Sequence, residues 1–395
     1  MRIENTLYFD YQASTPLDSR VLDAMTPFFV DCFANPHSAD HAPGWRAAQA
    51  VEDAAGRVAK LIGADPDEII FTSGATESNN LALLGLARRG TGGRRKRVLV
   101  STIEHKCVLA AARAMREQLD IEVEYLPVNK NGQLVISALE ERIDEDVLAL
   151  SLIAVNNEIG TIQDIKSISE ITQSNGVILH CDAAQAVCAV DLRDSTEFVD
   201  LLSLSAHKMY GPKGIGALFI RRDLQDRIEP IIYGGGQQNG LRSGTVPVGL
   251  CVGMGAAADL FISEQAELER ETLRQRRDRF VQGLQELPWP IFLNGPVGLD
   301  RHPGNANVRF DGCAALDILG VLQPHLAAST GSACTSGISE PSHVLRAIGL
   351  SEQEAEASIR FSMGRRTTDA DVEESIALIH TALQKLSDGG LVQSA

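Results

Sequence analysis

Three strand-to-turn junctions carry residue types that chemistry needs. In FTSGATES an apolar run ends at Thr72, a Ser-Gly turn follows, and a helical pattern opens at Ala75 and Thr76. Such a corner aims unpaired backbone N–H groups and hydroxyls at an anion, and it also reads as an ordinary N-capped helix. In VILHCDAAQ, Asp182 ends an apolar strand, where α/β sheets put their ligand groups. A carboxylate there pairs with a protonated pyridine nitrogen, caps the next helix, or ligates a metal. The metal is the weakest of the three, because His180 and Cys181 alternate across a strand. In LLSLSAHKMYGPKGIGALFI, Ser205, His207 and Lys208 follow a third apolar run. A lysine held beside low-dielectric walls loses its proton and condenses with an aldehyde, whereas a lysine before a turn, taken alone, is a surface lysine. An anion corner, a strand-end carboxylate and a strand-end lysine at one sheet edge are the three groups pyridoxal phosphate requires, for its phosphate, its ring nitrogen and its imine carbon.

Those junctions need a sheet that brings strand ends to one edge. From about residue 50 to 220, short apolar runs (EIIFT, RVLVS, IEVEYL, VLALSLIAV, VILHCD, VDLLSLSA, GIGALFI) alternate with helical patterns such as ATESNNLALLGLARR and KCVLAAARAMREQ. That alternation predicts an α/β fold with a mostly parallel sheet covered by helices. From Pro247 to about Leu287 the pattern reads as one long helix, first apolar and then strongly charged. Weaker strand signals in PIFLNG and NANVRF, a helix around ALDILGVLQ, and a last strand and helix near SIRFSMG and DADVEESIALIHTAL predict a smaller α+β lobe. We expect a large domain over 16–262 and a small one built from 1–15 and 263–395.

Composition narrows the classes. With 395 residues the chain buries a sizeable core, and 44% apolar with 22% charged residues describes a folded globular protein rather than a disordered one. No apolar run approaches the roughly 18 residues of a membrane helix, and MRIENTLYFD resembles neither a signal nor a transit peptide, so the expectation is a cytoplasmic protein without membrane contact. Seven irregularly spaced cysteines suit reduced thiols rather than a disulfide framework. A net charge of −16 argues against direct nucleic-acid binding. The one basic run, Arg94-Arg95-Lys96-Arg97, reads as a solvated loop, with docking of an acidic partner as the alternative.

TSGATES, EHK, VNNEIG, HCDAAQ, SAHKMYGPKGIG, GGGQQNGLRSGT, GSACTSG and SIRFSMGR together resemble the NifS/IscS group of cysteine desulfurases, fold-type I pyridoxal-phosphate enzymes related to class V aminotransferases. The resemblance runs from LYFDYQASTP to the last helix. It implies a large domain with a seven-stranded sheet plus a smaller domain, and pyridoxal 5'-phosphate as cofactor. In it, Lys208 is similar to the Schiff-base lysine, Asp182 to the pyridinium partner and Gln185 to the donor to the ring hydroxyl. His105 of EHK resembles the imidazole that stacks on the ring and moves protons. Ala75, Thr76, Ser205 and His207 match the phosphate cradle, and Thr245 of RSGT resembles a residue reaching the phosphate of a neighbouring subunit, which implies a homodimer. Asn157 of VNNEIG and Arg360 of SIRF match the pair that holds the substrate carboxylate. Arginine suits that task because its planar fork donates to two carboxylate oxygens at once. Asn35 and His37 of ANPHS are further candidates for the mouth of the site, although a helix-entry turn explains them equally well.

Cys334 lies in ASTGSACTSG, among residues too small to bury it and without apolar periodicity, unlike Cys181, Cys188 and Cys251. By the resemblance it is the nucleophile that takes sulfur from L-cysteine as a persulfide, leaves L-alanine, and passes the sulfur to a protein acceptor. A selenocysteine lyase, a plain class V aminotransferase and a non-catalytic scaffold of a sulfur-transfer complex are the alternatives. Two departures from the housekeeping pattern bear on the acceptor: Gln237-Gln238-Asn239 stands where His-Glu-Arg is common, and little follows ALQKLSDGG. Iron-sulfur assembly, tRNA thiolation and DNA phosphorothioation all remain open as destinations.

Overall fold

The computed structural model describes residues 1–89, 93–331 and 341–389. Strands β1 (Arg2–Ile3) and β2 (Thr6–Tyr8) open the chain. Strands β3 (Ile69–Thr72), β4 (Arg97–Ser101), β5 (Glu122–Leu126), β6 (Val147–Ile153), β7 (Ile178–Asp182), β8 (Leu201–Ser205) and β9 (Gly216–Ile220) form one sheet. Its order is β3-β9-β8-β7-β6-β4-β5, parallel throughout except for β9, which runs against both of its neighbours. The mostly parallel sheet expected from the alternating pattern is therefore present, with the seven strands that the resemblance implies.

Alternate residues of each strand enter different apolar clusters. Ile69, Phe71, Leu99, Leu150 and Leu179 pack on one face, and Ile70, Val98, Val100, Ile178 and Leu218 on the other. This is why these strands read as continuous apolar runs rather than as alternating ones: helices cover both faces. One row is polar inside the sheet. Ser151 Oγ meets His180 Nδ1 at 2.9 Å, and His180 Nε2 meets Ser203 Oγ at 3.3 Å, so the buried imidazole is held on both nitrogens. Burial pushes its pKa down to about 4 and keeps it neutral.

A separate cluster joins Leu7 and Phe9 to Phe280, Val308, Ile318, Phe361 and Ile379. Its sheet is β10 (Ile291–Leu293), β11 (Asn305–Phe310) and β13 (Ser358–Ser362), all antiparallel, while β12 (Leu326–Ala327) pairs with β2. The long helix expected after Pro247 is two helices, Val248–Asp259 and Glu264–Gln285. They part where Phe261 is buried, stacked against Tyr210 at 6.2 Å beneath the Arg365 guanidinium, and Ser263 restarts the chain in extended backbone. The anchored aromatic interrupts a pattern that periodicity alone carries straight through. The basic run is less free than a solvated loop: Arg97 pairs with Glu124 and Asp144, Lys96 with Asp120, and Arg95 donates to the carbonyls of Val147 and Gly176.

Register decides where the junctions meet. Thr72 pairs with Gly216, Gly216 pairs with Ser205, and Asp182 pairs with Ser203, so the ends of β3, β8 and β7 share one sheet edge. Gly216 makes the closest approach. A Cβ there would lie 2.6 Å from both the Gly74 Cα and the Leu204 carbonyl oxygen. The Gly216→Ala variant is therefore expected to lose about 1–3 kcal/mol of stability, the usual cost of overpacking, in denaturant titrations. It should also bind cofactor more weakly, because the atom that must yield belongs to the anion corner.

Candidate active site

The sheet edge opens into a cavity of ≈ 700 Å³. Every expected site residue among those described lines it except Thr245 and the two mouth candidates, Asn35 and His37. Thr245 is exposed elsewhere, and Asn35 and His37 form a turn of their own, Asn35 Oδ1 accepting from the His37 N–H, away from the lining. Cys334 lies outside the described residues.

Lys208 sits in the 3-10 turn Ala206–Lys208 that directly continues β8. Its Nζ donates to the carbonyls of Gln12 at 2.5 Å and Ala13 at 2.8 Å. Burial lowers its pKa to about 8, with Arg360 adding to the drop and Asp10 and Asp182 opposing it. An amine with that pKa has an accessible neutral form, the state required of a nucleophile or base.

Asp182, 2% exposed at the end of β7, accepts from Asn79 Nδ2 at 2.7 Å and from the Ala184 N–H at 3.0 Å. Asn79 stands one turn along the helix Ala75–Arg89, so that helix both offers its N-terminus to an anion and secures the carboxylate. The corner before it is open. A Cβ on Gly74, whose φ is +151°, would meet nothing within 4 Å, and the Ser73 N–H is tied to Glu77, which Arg242 holds at 2.8 Å. His207, beside the corner, is kept neutral by burial and by Lys208, with its pKa lowered to about 4.

His105 caps the helix Lys106–Gln118, its Nδ1 accepting from the Cys107 N–H at 3.2 Å and lying 3.0 Å from Cys107 Sγ. Burial, opposed by Asp182, lowers its pKa. Gln185 spends one amide N–H on the Gln12 carbonyl at 2.9 Å and keeps the other. Arg360, on β13, donates to the Asn157 carbonyl at 2.8 Å, to Asp10 Oδ1 at 2.7 Å and to Ser329 Oγ at 2.9 Å. The smaller lobe thereby delivers a buried cation to the same cavity as Lys208.

Six neighbours escaped the sequence reading, among them the Asn79 that holds Asp182. Gln12 supplies a carbonyl to Lys208 and Gln185 and carries a buried Nε2 without a partner among the described residues, and Asp10 and Ser329 hold Arg360. Glu104 is completely buried with Oε2 unpartnered among the described residues, and burial pushes its carboxyl well above the usual range. His343 lines the wall with Nε2 2.9 Å from the Glu104 carbonyl. Two signals were present: Glu104 directly precedes His105, and Asn79 lies one helical turn after Ala75.

These groups fit pyridoxal phosphate on structural grounds. A helix N-terminus with an unfilled glycine corner suits a phosphate, a buried carboxylate suits a protonated ring nitrogen, and an amine of lowered pKa suits the aldehyde carbon.

Comparison with known proteins leads to the same cofactor. The family model described as Aminotransferase class-V matches residues 7–374. A protein named cysteine desulfurase IscS from Rickettsia akari (strain Hartford) is 46% identical over 381 residues, covering 96% of this chain and 92% of its own length. Among solved structures, one titled NifS-like protein superposes with a TM-score of 0.89 at 33% identity, over 96% of this chain and 100% of that one. Another, titled SspA in complex with cysteine, does so with a TM-score of 0.79 at 38% identity, over 92% of this chain and 100% of that one.

Proposed function

Because the chain belongs to the class V aminotransferase family, whose chemistry depends on pyridoxal 5'-phosphate, we propose that it is a cysteine desulfurase. It converts L-cysteine to L-alanine and leaves the sulfur as a persulfide on Cys334. The observation that carries this reading is the meeting, in one cavity, of the Lys208 amine, the Asp182 carboxylate and the open helix N-terminus with the Arg360 guanidinium. An α-amino acid needs all four.

Ala75, Thr76, Ser205 and His207 would hold the phosphate, Asp182 the ring nitrogen, and Gln185, through its remaining N–H, the ring hydroxyl. Lys208 would hold the aldehyde carbon. Bound there, the cofactor supplies an electron sink for charge developing at the amino acid's α-carbon. Arg360 and Asn157 orient the substrate by its carboxylate. Lys208, neutral above about pH 8 before any ligand binds, accepts the α-proton, and His105 moves protons on the other side of the site. Cys334 as thiolate attacks the substrate sulfur. As that S–S bond forms the Cβ–S bond breaks, its electron pair stays with Cβ, and Cβ takes a proton to become the methyl group of alanine.

The sulfur then passes, in this proposal, from the persulfide to a protein acceptor. Gln238, one of the residues that departs from the housekeeping pattern, hydrogen-bonds both the N–H and the carbonyl of Phe71 and so pins its loop to edge strand β3. We infer a homodimer from exposed apolar side chains close to the segment bearing Thr245. Phe29, Val30, Phe33 and Trp45 are 58–75% exposed, and Phe29 packs against Gly249, four residues beyond Thr245. Burying such a patch is the ordinary reason to have one. No helix among the described residues is long and apolar enough to cross a membrane, and the compartment we infer is the cytoplasm.

The test is stoichiometric. With L-cysteine and no keto acid, the purified holoenzyme should form alanine and reductant-released sulfide in equal amounts. Transamination without sulfide would make the protein a plain aminotransferase. Turnover of selenocysteine alone would make it a selenocysteine lyase, and absence of both cofactor and turnover would make it a scaffold.

A further inference from the structure

The guanidinium proposed to hold the substrate carboxylate is already engaged by an anion. Arg360 has five N–H groups. Nη2 spends two, on Asp10 Oδ1 and Ser329 Oγ, and Nη1 spends one on the Asn157 carbonyl. The buried Nε–H has no partner among the described residues. Every two-pronged approach to a guanidinium that uses Nη2 meets Asp10. The pair is sheltered, with side chains 5% and 19% exposed, so water neither screens the charges nor readily replaces one of them. Asp10 is itself fixed: Ser329 Oγ lies 3.2 Å from Oδ1, and the backbone of Ser329 pairs with that of Arg360 in both directions.

We propose that Asp10 is an internal counter-ion, which competes with incoming carboxylates for Arg360 and so holds down the affinity for substrate and product alike. Resting on the reading of Arg360 as carboxylate holder, this assigns Asp10 a positioning role exerted through Arg360. An arginine left without an anion in a sheltered cavity would grip alanine as firmly as cysteine, and uniform grip does not speed chemistry. With Asp10 in place, a departing carboxylate is replaced by one already present, and the cation is never left unpaired.

Asp10→Asn removes the charge and keeps the oxygen that accepts from Arg360. In calorimetric titration of the holoenzyme, L-alanine should bind about tenfold more tightly to this variant than to wild type. The KM for cysteine should fall with it, and kcat should fall as alanine leaves more slowly. Ethylamine, which lacks the carboxylate, should bind both proteins alike, and Asp10→Glu should restore weak alanine binding. Alanine affinity that is unchanged or weaker in Asp10→Asn overturns the proposal, as does an equal gain for ethylamine. Should Asp10→Asn not retain cofactor, Asp10→Ser carries the same comparison. Arg360→Gln separates the two readings. It should weaken alanine and spare ethylamine, and if it leaves alanine binding intact the assignment of Arg360 is the one that fails.

Discussion

Lys208→Ala protein is expected to retain its fold and lose about four orders of magnitude in kcat/KM for cysteine, the upper end of what a positioned acid-base group contributes. Reduction of the wild-type holoenzyme with borohydride should fix the cofactor on the peptide containing Lys208, and the variant should show no such adduct. Lys208 is suited to the work by its surroundings. Burial and the nearby Arg360 bring its pKa to about 8, so near neutral pH an appreciable share of the side chain is amine, whereas a surface lysine at about 10.4 is almost wholly protonated. The sign is that of a cation made unfavourable by desolvation: the neutral form gains as pH rises through 8 and is lost below it. A small exogenous amine should restore part of the variant's rate, more at higher pH. Retention of a tenth or more of wild-type activity would remove Lys208 from the mechanism.

Cys334→Ser should abolish sulfide release while the cofactor absorbance stays, and after incubation with cysteine the wild-type peptide containing Cys334 alone should gain the mass of one sulfur atom. Chain connectivity supports the assignment. Gly331, three positions before Cys334 in the sequence, lines the cavity. On the other side Ser342 donates to Glu158, which is buried at the same wall. Four of the other thiols are made poor nucleophiles by burial. Burial raises Cys188 and Cys251 to about 12 and Cys313 to about 11, and it raises Cys181 as well. Cys107 is the rival to exclude, since it lines the cavity beside His105, but burial and the charge of Asp182 raise it to about 11. Sulfur found on Cys107, or sulfide release surviving in Cys334→Ser, would move the nucleophile elsewhere.

The site was most legible where a strand end and a turn coincide. Thr72-Ser73-Gly74, Asp182 and Lys208 stand out because an apolar run stops abruptly at a polar or glycine residue, and that discontinuity is local. Asp10, Gln12 and Ser329 carry no such mark. They matter through partners 350, 196 and 31 residues away in the chain, Arg360, Lys208 and Arg360 respectively, and no local pattern encodes a pairing of that kind. Glu104 was passed over because its importance is burial beside Asp182, and burial belongs to the packed chain. The break between Val248–Asp259 and Glu264–Gln285 was invisible for the same reason, since Phe261 departs from the helix to reach Tyr210.

By itself, then, the sequence determined the elements and the chemical types. Alternating apolar runs and helical patterns specify a helix-covered parallel sheet, and an anion corner, a carboxylate and a lysine after three of its strands specify the cofactor's needs. Only the tertiary structure decided how those groups act on one another. The Thr72–Gly216–Ser205 register brings the corner beside the lysine, and burial sets the charge of Lys208, His105 and Glu104. Packing of the smaller lobe brings Arg360 in already paired with Asp10. The physical reason is range. Backbone preference and hydrophobic period act over a few residues, whereas desolvation and ion pairing act through space, between groups that the chain keeps far apart until it folds.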